Sequence, residues 1–501
     1  MLLFFYPIWI PFISENIPEI FELEKRNRFL IIEISNMLKI KRITLVNPPL
    51  SSKKVYGRFS DFGSISAPTG LCYIASYIRK HGYIPFIIDS RAIPLNIDNT
   101  IKAILETKPD VIGITYKSMC LENAHKVATA VKKVLNIPIV VGGNHITALP
   151  EKTLQDFPNF DIAIIGEGEV SFLNLLHAFE QNDISNVCGI GFRSGGKIIL
   201  NKSSERIKDL DVIPLPAYDL LPELKTHYWP IFNNTDRYPS FSVINSRDCH
   251  GKCRFCDRKT FGNIVARHSP EYVVSLIKNL RDHHGIRYLV FDDDNFITNK
   301  KYLYNLCDLM KSRNACIPFT CESRVDCIDK PLLNRLSEVG CKQIMFGIES
   351  GNQKILDSMN KNITIKQIEK AIRLTKQAGI KTLGYFILGF PGETLESMND
   401  TVQFIKNLKL FDIAVQIFFP MPGSEIFDYV DRYGKFSRDW SKLGSVEDMV
   451  FVSHGLTEEL LLEYMEKCYD ACYKRLYQLF SLHKRVQSIR TLKLMLKFLQ
   501  I

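Results

Sequence analysis

The chain has 501 residues, 46 % of them hydrophobic and 24 % charged, with a formal net charge of +10. That balance belongs to ordinary soluble globular proteins and excludes a disordered chain; the length suits about two to four domains. The 13 cysteines are scattered, most among apolar neighbours, which argues against a secreted disulfide framework and for a reducing cytoplasm.

Residues 1–37 read as an extension of unknown status. Leu2–Ile13 is apolar but too short to span a bilayer. It lacks a basic leading region and a small-residue cleavage site, so it does not read as a signal peptide. Acidic residues follow at Glu15, Glu19, Glu22 and Glu24, and Met37 is a second candidate initiator.

Over 38–205 strand and helix patterns alternate. Predicted strands are Arg42–Asn47, Ile84–Ile88, Val111–Thr115, Ile137–Val141 and Asp161–Ile165. Helical spacing runs from Gly70 to His81 and from His125 to Leu135. Near-continuous apolar strands separated by helices predict a parallel sheet covered on both faces, a doubly wound α/β unit. Gly142-Gly143 and Gly166-Glu167-Gly168-Glu169 follow strands, where ligands of such sheets bind.

Residues 206–237, with Pro214-Leu215-Pro216, read as a linker. A second strand–helix series covers 238–425. Its predicted strands are Ser240–Asn245, Tyr288–Phe291, Pro318–Glu322, Gln343–Ile348, Thr382–Leu388 and Ala414–Phe419. The gaps fit crossover helices, so a partial (β/α)6 barrel is expected. After its first strand stand Cys249, Cys253 and Cys256, a CxxxCxxC spacing on one short loop. Three thiolates can hold three irons of a cubane cluster and leave the fourth iron open to substrate. Zinc is the alternative, although it prefers four closed ligands and only His250 lies close.

Residues 426–501 read mainly as helices. No Asp or Glu follows Asp470, while Lys474, Arg475, Lys484, Arg485, Arg490, Lys493 and Lys497 interleave with apolar residues. The favoured reading is a basic amphipathic tail packed on its own protein; contact with a membrane surface is the alternative.

With the cluster loop, four stretches carry a resemblance. They are Val141-Gly142-Gly143-Asn144-His145, the Gly166–Glu169 loop, Phe346-Gly347-Ile348-Glu349-Ser350-Gly351 and Phe386-Ile387-Leu388-Gly389-Phe390-Pro391-Gly392-Glu393-Thr394. In order and spacing the chain resembles the cobalamin-dependent radical SAM enzymes, the group of anaerobic magnesium-protoporphyrin ester cyclases and radical C- and P-methyltransferases. The resemblance covers roughly residues 40–500. It departs from the family's pattern at Asp248 and His250, where Gly and Pro are common. Asp292-Asp293-Asp294 replaces the wider superfamily's Gly-Gly-Glu. The DxHxxG cobalamin motif is absent, so the resemblance implies cobalt without a histidine from that motif.

The resemblance implies a Rossmann-like cobalamin-binding domain, a radical SAM partial barrel and a helical C-terminal region. Its cofactors would be a [4Fe-4S] cluster on the three cysteines, SAM and cobalamin. Around SAM it implies Asp293 or Asp294 at the ammonium, Arg324 at the carboxylate, Glu349 and Ser350 at the ribose and Gly389 at the adenine. Phe255 would pack on the adenine. Around cobalamin it implies Thr69, Gly70, Leu71, Gly142, Gly143, Gly166, Glu167 and Gly168, with His145 shaping the tail loop rather than binding cobalt. An anaerobic or oxygen-shielded setting and a reductase such as flavodoxin or ferredoxin follow. The leading activity is methylation of an unactivated carbon of a small molecule or lipid. Oxidative cyclisation or rearrangement is the rival, and a non-enzymatic corrinoid or cluster sensor the alternative of another class. No nucleic-acid module is apparent, which sets RNA modification aside.

Overall fold

The computed structural model describes residues 40–56, 63–229, 239–262, 264–440, 442 and 449–474. The expectations for residues 1–37 and for the basic stretch after Lys474 lie outside these residues.

The N-terminal unit is one seven-stranded sheet. Its strands are β1 (Arg42–Asn47), β2 (Ile84–Asp89), β3 (Val111–Thr115), β4 (Ile139–Gly142), β5 (Ile162–Ile164), β6 (Ile190–Ser194) and β7 (Lys197–Leu200). They lie in the order β2-β1-β3-β4-β5-β6-β7, the first five parallel and the last two antiparallel. Helices Thr69–Lys80 and Gly168–Glu180 bury Leu71, Ala75, Leu175 and Leu176 against one face. Helices Ile97–Glu106 and Leu121–Lys132 cover the other with Ile104, Ala124, Val127 and Val131. The chain steps from β1 to β2 on one side and returns to β3 on the other, so the strand order reverses there and leaves a crevice beyond the carboxyl ends. β4 starts two residues later than its apolar run because Pro138 has no N–H for the ladder. The β6–β7 hairpin was not anticipated. Its turn is Gly195-Gly196 with φ of 55° and 78°, a pair that suits a two-residue hairpin.

Residues 206–229 are packed between the units, with Tyr218 and Tyr228 edge-on to Phe241 at 5.0 and 6.0 Å. The second unit holds β8 (Ser240–Val243), the short pair β9 (Ser246–Arg247) and β10 (Ala266–Arg267), then β11 (Tyr288–Phe291), β12 (Phe319–Ser323), β13 (Cys341–Glu349), β14 (Lys381–Leu388) and β15 (Asp412–Ile417). The six long strands are parallel, in the order β15-β14-β13-β12-β11-β8, and curl into a half-barrel. Each crossover helix starts at a side-chain cap: Ser269, Asn299, Asp329, Thr364 and Thr394 each accept a first-turn backbone N–H. Val290, Met345 and Leu383 close the lower interior of the half-barrel. After β15 the chain forms a small hairpin, β16 (Gly434–Phe436) with β17 (Phe451–Ser453), and then helix Glu458–Tyr473. Three-residue strands carry too little alternation to stand out in a stretch read as helical. No helix among the described residues is long and apolar enough to cross a membrane.

Candidate active site

The loop bearing the three cysteines is pinned from β11. Asp293 accepts the Asn245 and Ser246 N–H groups and, at 2.6 Å, the Ser246 hydroxyl. Asp294 accepts the Asp248 N–H at 2.9 Å. Burial pushes the Asp293 carboxyl up to about 7. Asp248 itself sits at φ 76°, a left-handed conformation that glycine adopts without strain and Asp tolerates.

The loop is built closely around its sulfurs. The Gly251 N–H donates to Cys249 Sγ at 3.4 Å. A Cβ at Gly251 would stand 3.4 and 3.7 Å from the Cys249 and Cys253 sulfurs and 3.0 Å from Arg324 Nη1. Cys253 is held well below the usual thiol range, first by the hydrogen bond from Cys256, with Lys361 and Arg324 acting the same way against its burial. Thiolates are the metal-binding form. Among the described residues no three His, Cys, Asp or Glu side chains form a ligand group for one metal ion. A cubane puts each thiolate on a different iron and needs no such point. Three thiols, an N–H to sulfur, two nearby cations and a glycine cradle suit a cluster.

The cysteines open into a cavity of about 720 Å³ at the mouth of the half-barrel. Phe255, Asp294, Arg324 and Glu349 line it, together with Lys361, Glu322 and Tyr385, which the sequence reading did not single out. Arg324 forks onto Asp326, with both hydrogen bonds at 2.9 Å, and also donates to the Lys361 carbonyl. Its remaining Nη1 points at Cys253 Sγ, 3.9 Å away. Glu349 ends β13 at φ 68° and accepts the Lys361 ammonium at 2.6 Å, a buried pair facing the cavity. Deeper in the barrel the Tyr385 hydroxyl donates to Glu322 at 3.1 Å. Burial, with Asp292 beside it, pushes the Glu322 carboxyl up to about 8. Phe418, Phe419, Met421, Met449, Val450 and Met465 add apolar lining to the same cavity. Lys361 lies in a loop that looks like surface in the sequence. Glu322 had a signal, a lone charge in an otherwise uncharged inner strand.

A second cavity, of about 270 Å³, lies in the crevice of the N-terminal sheet. Gly70, Leu71, Gly142, Gly143, Gly166, Glu167 and Gly168 all line it, as do Leu45, Gly113 and Phe172. Gly113 has no side chain to fill the slot: a Cβ there would approach Leu45 to 2.7 Å and Phe172 to 3.6 Å. Bare backbone on one side and a helix start on the other suit a bulky, largely apolar ligand. Gly143 lines the crevice with a positive φ and is also required by packing. At φ 124° its Cβ would meet the Tyr116 carbonyl oxygen at 2.4 Å, so packing of the strand ends already requires glycine there. His145 is buried, bonded to Ser118 at 2.8 Å and edge-on to Trp440 at 5.0 Å; it lines neither cavity.

Four of the expected residues also stand outside both cavities. Asp293 faces back onto the cluster loop's own strand end. Ser350 bonds Thr401 and the Asn352 N–H. Gly389 turns at φ 82° with its N–H on Glu393. Thr69 bonds the Ala67 carbonyl. The two cavities share a wall made by Asn144, Thr260, Phe261 and Asp294.

Comparison with known proteins agrees with this division. Residues 243–405 match the radical SAM superfamily and residues 58–176 the B12 binding domain. An uncharacterized methyltransferase of Pyrococcus horikoshii is 32 % identical over 444 residues, 87 % of this chain and 94 % of that protein. The anaerobic magnesium-protoporphyrin IX monomethyl ester cyclase of Rubrivivax gelatinosus is 29 % identical over 72 % of this chain and 65 % of its own length. The fold matches that of the radical S-adenosylmethionine methyltransferase TsrM of Kitasatospora setae, solved with cobalamin and a [4Fe-4S] cluster, at a TM-score of 0.68 and 14 % identity over 86 % of this chain and 89 % of that one. This chain belongs to the cobalamin-dependent radical SAM enzymes, with a [4Fe-4S] cluster, SAM and cobalamin as its cofactors.

Proposed function

We propose that the protein methylates a carbon of a small-molecule or lipid substrate, using SAM both as methyl source and as radical source. The observation that carries this reading is the shared wall: a cysteine-lined cavity and a glycine-lined sheet crevice meet at Asn144, Thr260, Phe261 and Asp294. When bound, the cluster supplies the electron that cleaves SAM, and cobalamin carries the methyl group.

The chain's own residues position and shield. Cys249, Cys253 and Cys256 would hold three irons of the cluster and leave the fourth for SAM. Lys361 and Arg324 would meet the SAM carboxylate, and Glu349 and Asp294 its hydroxyl and ammonium groups. Phe255, under the Lys361 ammonium at 5.8 Å, gives the adenine a flat neighbour. Asp293, Ser350, Gly389 and Thr69 act from behind, by fixing the backbone of the groups that line the cavities. Gly142, Gly166 and Gly168, which line the crevice, would let a corrin and its tail approach the sheet. The Phe418–Met465 wall excludes water and offers an apolar seat for the substrate, while Glu322 and Tyr385 meet its polar part. An external one-electron donor of the flavodoxin or ferredoxin kind supports turnover.

The cyclase relative keeps oxidative cyclisation as the rival reading. One anaerobic turnover of the loaded protein with SAM, a low-potential reductant and cell extract separates them. Methyl transfer yields S-adenosylhomocysteine and 5′-deoxyadenosine in near-equal amounts. Substrate-dependent 5′-deoxyadenosine without matching S-adenosylhomocysteine would favour the cyclase.

A further inference from the structure

We propose that Arg247 is a positioning residue that holds the crevice of the N-terminal sheet in register with the cluster loop. It closes β9, two residues before Cys249, yet its guanidinium leaves the half-barrel and enters the other unit. Nη1 donates to Glu167 Oε1 at 2.7 Å and to Glu169 Oε2 at 3.3 Å, and Nη2 donates to Glu169 Oε1 at 2.6 Å. Arg206 brings a second cation to Glu167 at 2.7 Å, so two arginines balance two glutamates. Arg247, Glu167 and Glu169 are 7, 6 and 3 % exposed. The rings of Tyr73 and Phe261 flank the guanidinium at 5.5 and 5.9 Å.

Both carboxylates have further ties to their own unit. Glu169 lies in the first turn of helix Gly168–Glu180, where the helix dipole favours an anion. Glu167 precedes that turn and accepts the Ile207 N–H at 2.8 Å. On the other side, the peptide after Arg247 is fixed by Asp294 through the Asp248 N–H. The path from the Gly166–Gly168 loop to Cys249 is therefore one planar fork and two peptide units. Buried ion pairs contribute little net stability against an apolar contact of the same size. What a bidentate arginine adds is a fixed distance and angle between the parts it joins. Arg247, Glu167 and Glu169 all line the smaller cavity, and Phe261 beside them lines both.

The inference rests on the methyl-transfer reading, because that chemistry needs the two cavities in register. SAM demethylation requires groups held in both; SAM cleavage requires only the cluster side. The test uses full-length protein loaded with iron, sulfide and cobalamin, given SAM and a low-potential one-electron reductant under anaerobic conditions, as wild type, Arg247→Lys and Arg247→Gln. Both variants are expected to keep their iron and cobalamin. In Arg247→Gln, S-adenosylhomocysteine formation falls by on the order of a hundredfold, as a misplacement of about 1 Å suffices to do, while 5′-deoxyadenosine formation changes only about twofold. Arg247→Lys, which keeps the charge but not the fork, falls between. Relaxation of the cobalt(II) paramagnetic signal by the reduced cluster gives a readout independent of turnover, and is weaker and more widely distributed in Arg247→Gln. Equal loss of both SAM products, loss of both cofactors in both variants, or unchanged relaxation would overturn the proposal. If wild type itself forms no S-adenosylhomocysteine, the methyl-transfer reading fails, and the relaxation measurement still decides the role of Arg247.

Discussion

Asp248 stands where the backbone asks for glycine. Its carboxyl accepts the Cys249 N–H at 2.7 Å, and burial pushes its pKa up while Arg206 and Arg258 pull it down. Asp248→Gly relieves the positive-φ conformation and removes a carboxyl beside an anionic cluster. The expected outcome is a protein that keeps its iron and whose cluster is reduced at a higher potential, as cluster potentials follow local charge. A redox titration followed by electron paramagnetic resonance measures this; an unchanged or lower potential would show that the carboxyl carries no charge felt by the cluster. The cysteines and glycines could be read from the sequence because their signals are local. In Asp292–Asp294 the sequence showed three acids but not their directions. Alternation sends Asp292 and Asp294 to the cavities and Asp293 back to the loop. Lys361 meets Glu349 only because the chain folds back after β13, and no spacing rule announces that.

Glu393 controls the turn that leaves β14. It is buried, accepts the Gly389 N–H, and its carboxyl is pushed up to about 8 by burial. An unfolded chain has an ordinary Glu with a pKa of about 4.3. Between these values the folded protein holds a proton that the unfolded chain has released. Stability from this group is therefore fully present below the unfolded value and is lost as pH rises toward about 8. Glu393→Gln keeps an acceptor for Gly389 and removes the titration. Urea unfolding across that window is expected to show a falling midpoint for wild type and a flatter one for the variant; parallel curves would mean Glu393 is ionised throughout. The long elements followed from apolar runs and caps, and β1, β3 and β11 have the bounds their runs suggest. The two small hairpins did not, because strands of three to five residues at an edge are set by their partners and turns rather than by their own pattern.

Two sheets of unlike design present their carboxyl ends to each other. The doubly wound sheet offers a crevice at its strand reversal, and the half-barrel offers a mouth with the cysteine loop at its rim. Both halves were readable as strand–helix series, but their mutual orientation was not. It depends on contacts between residues far apart in the chain, such as Arg247 with Glu169 and Tyr73 with the Ile244 carbonyl. The cavity at the half-barrel mouth carries both apolar side chains and the half-buried Glu322–Tyr385 pair. Methyl transfer is tested most directly by anaerobic turnover with methyl-deuterated SAM, a low-potential reductant and cell extract as the source of substrate. Mass spectrometry is expected to find a new product that retains the full deuterium label of the methyl group, absent when Cys249, Cys253 and Cys256 are replaced by Ala. A cysteine-dependent product carrying no deuterium would contradict methyl transfer and leave cyclisation as the reaction.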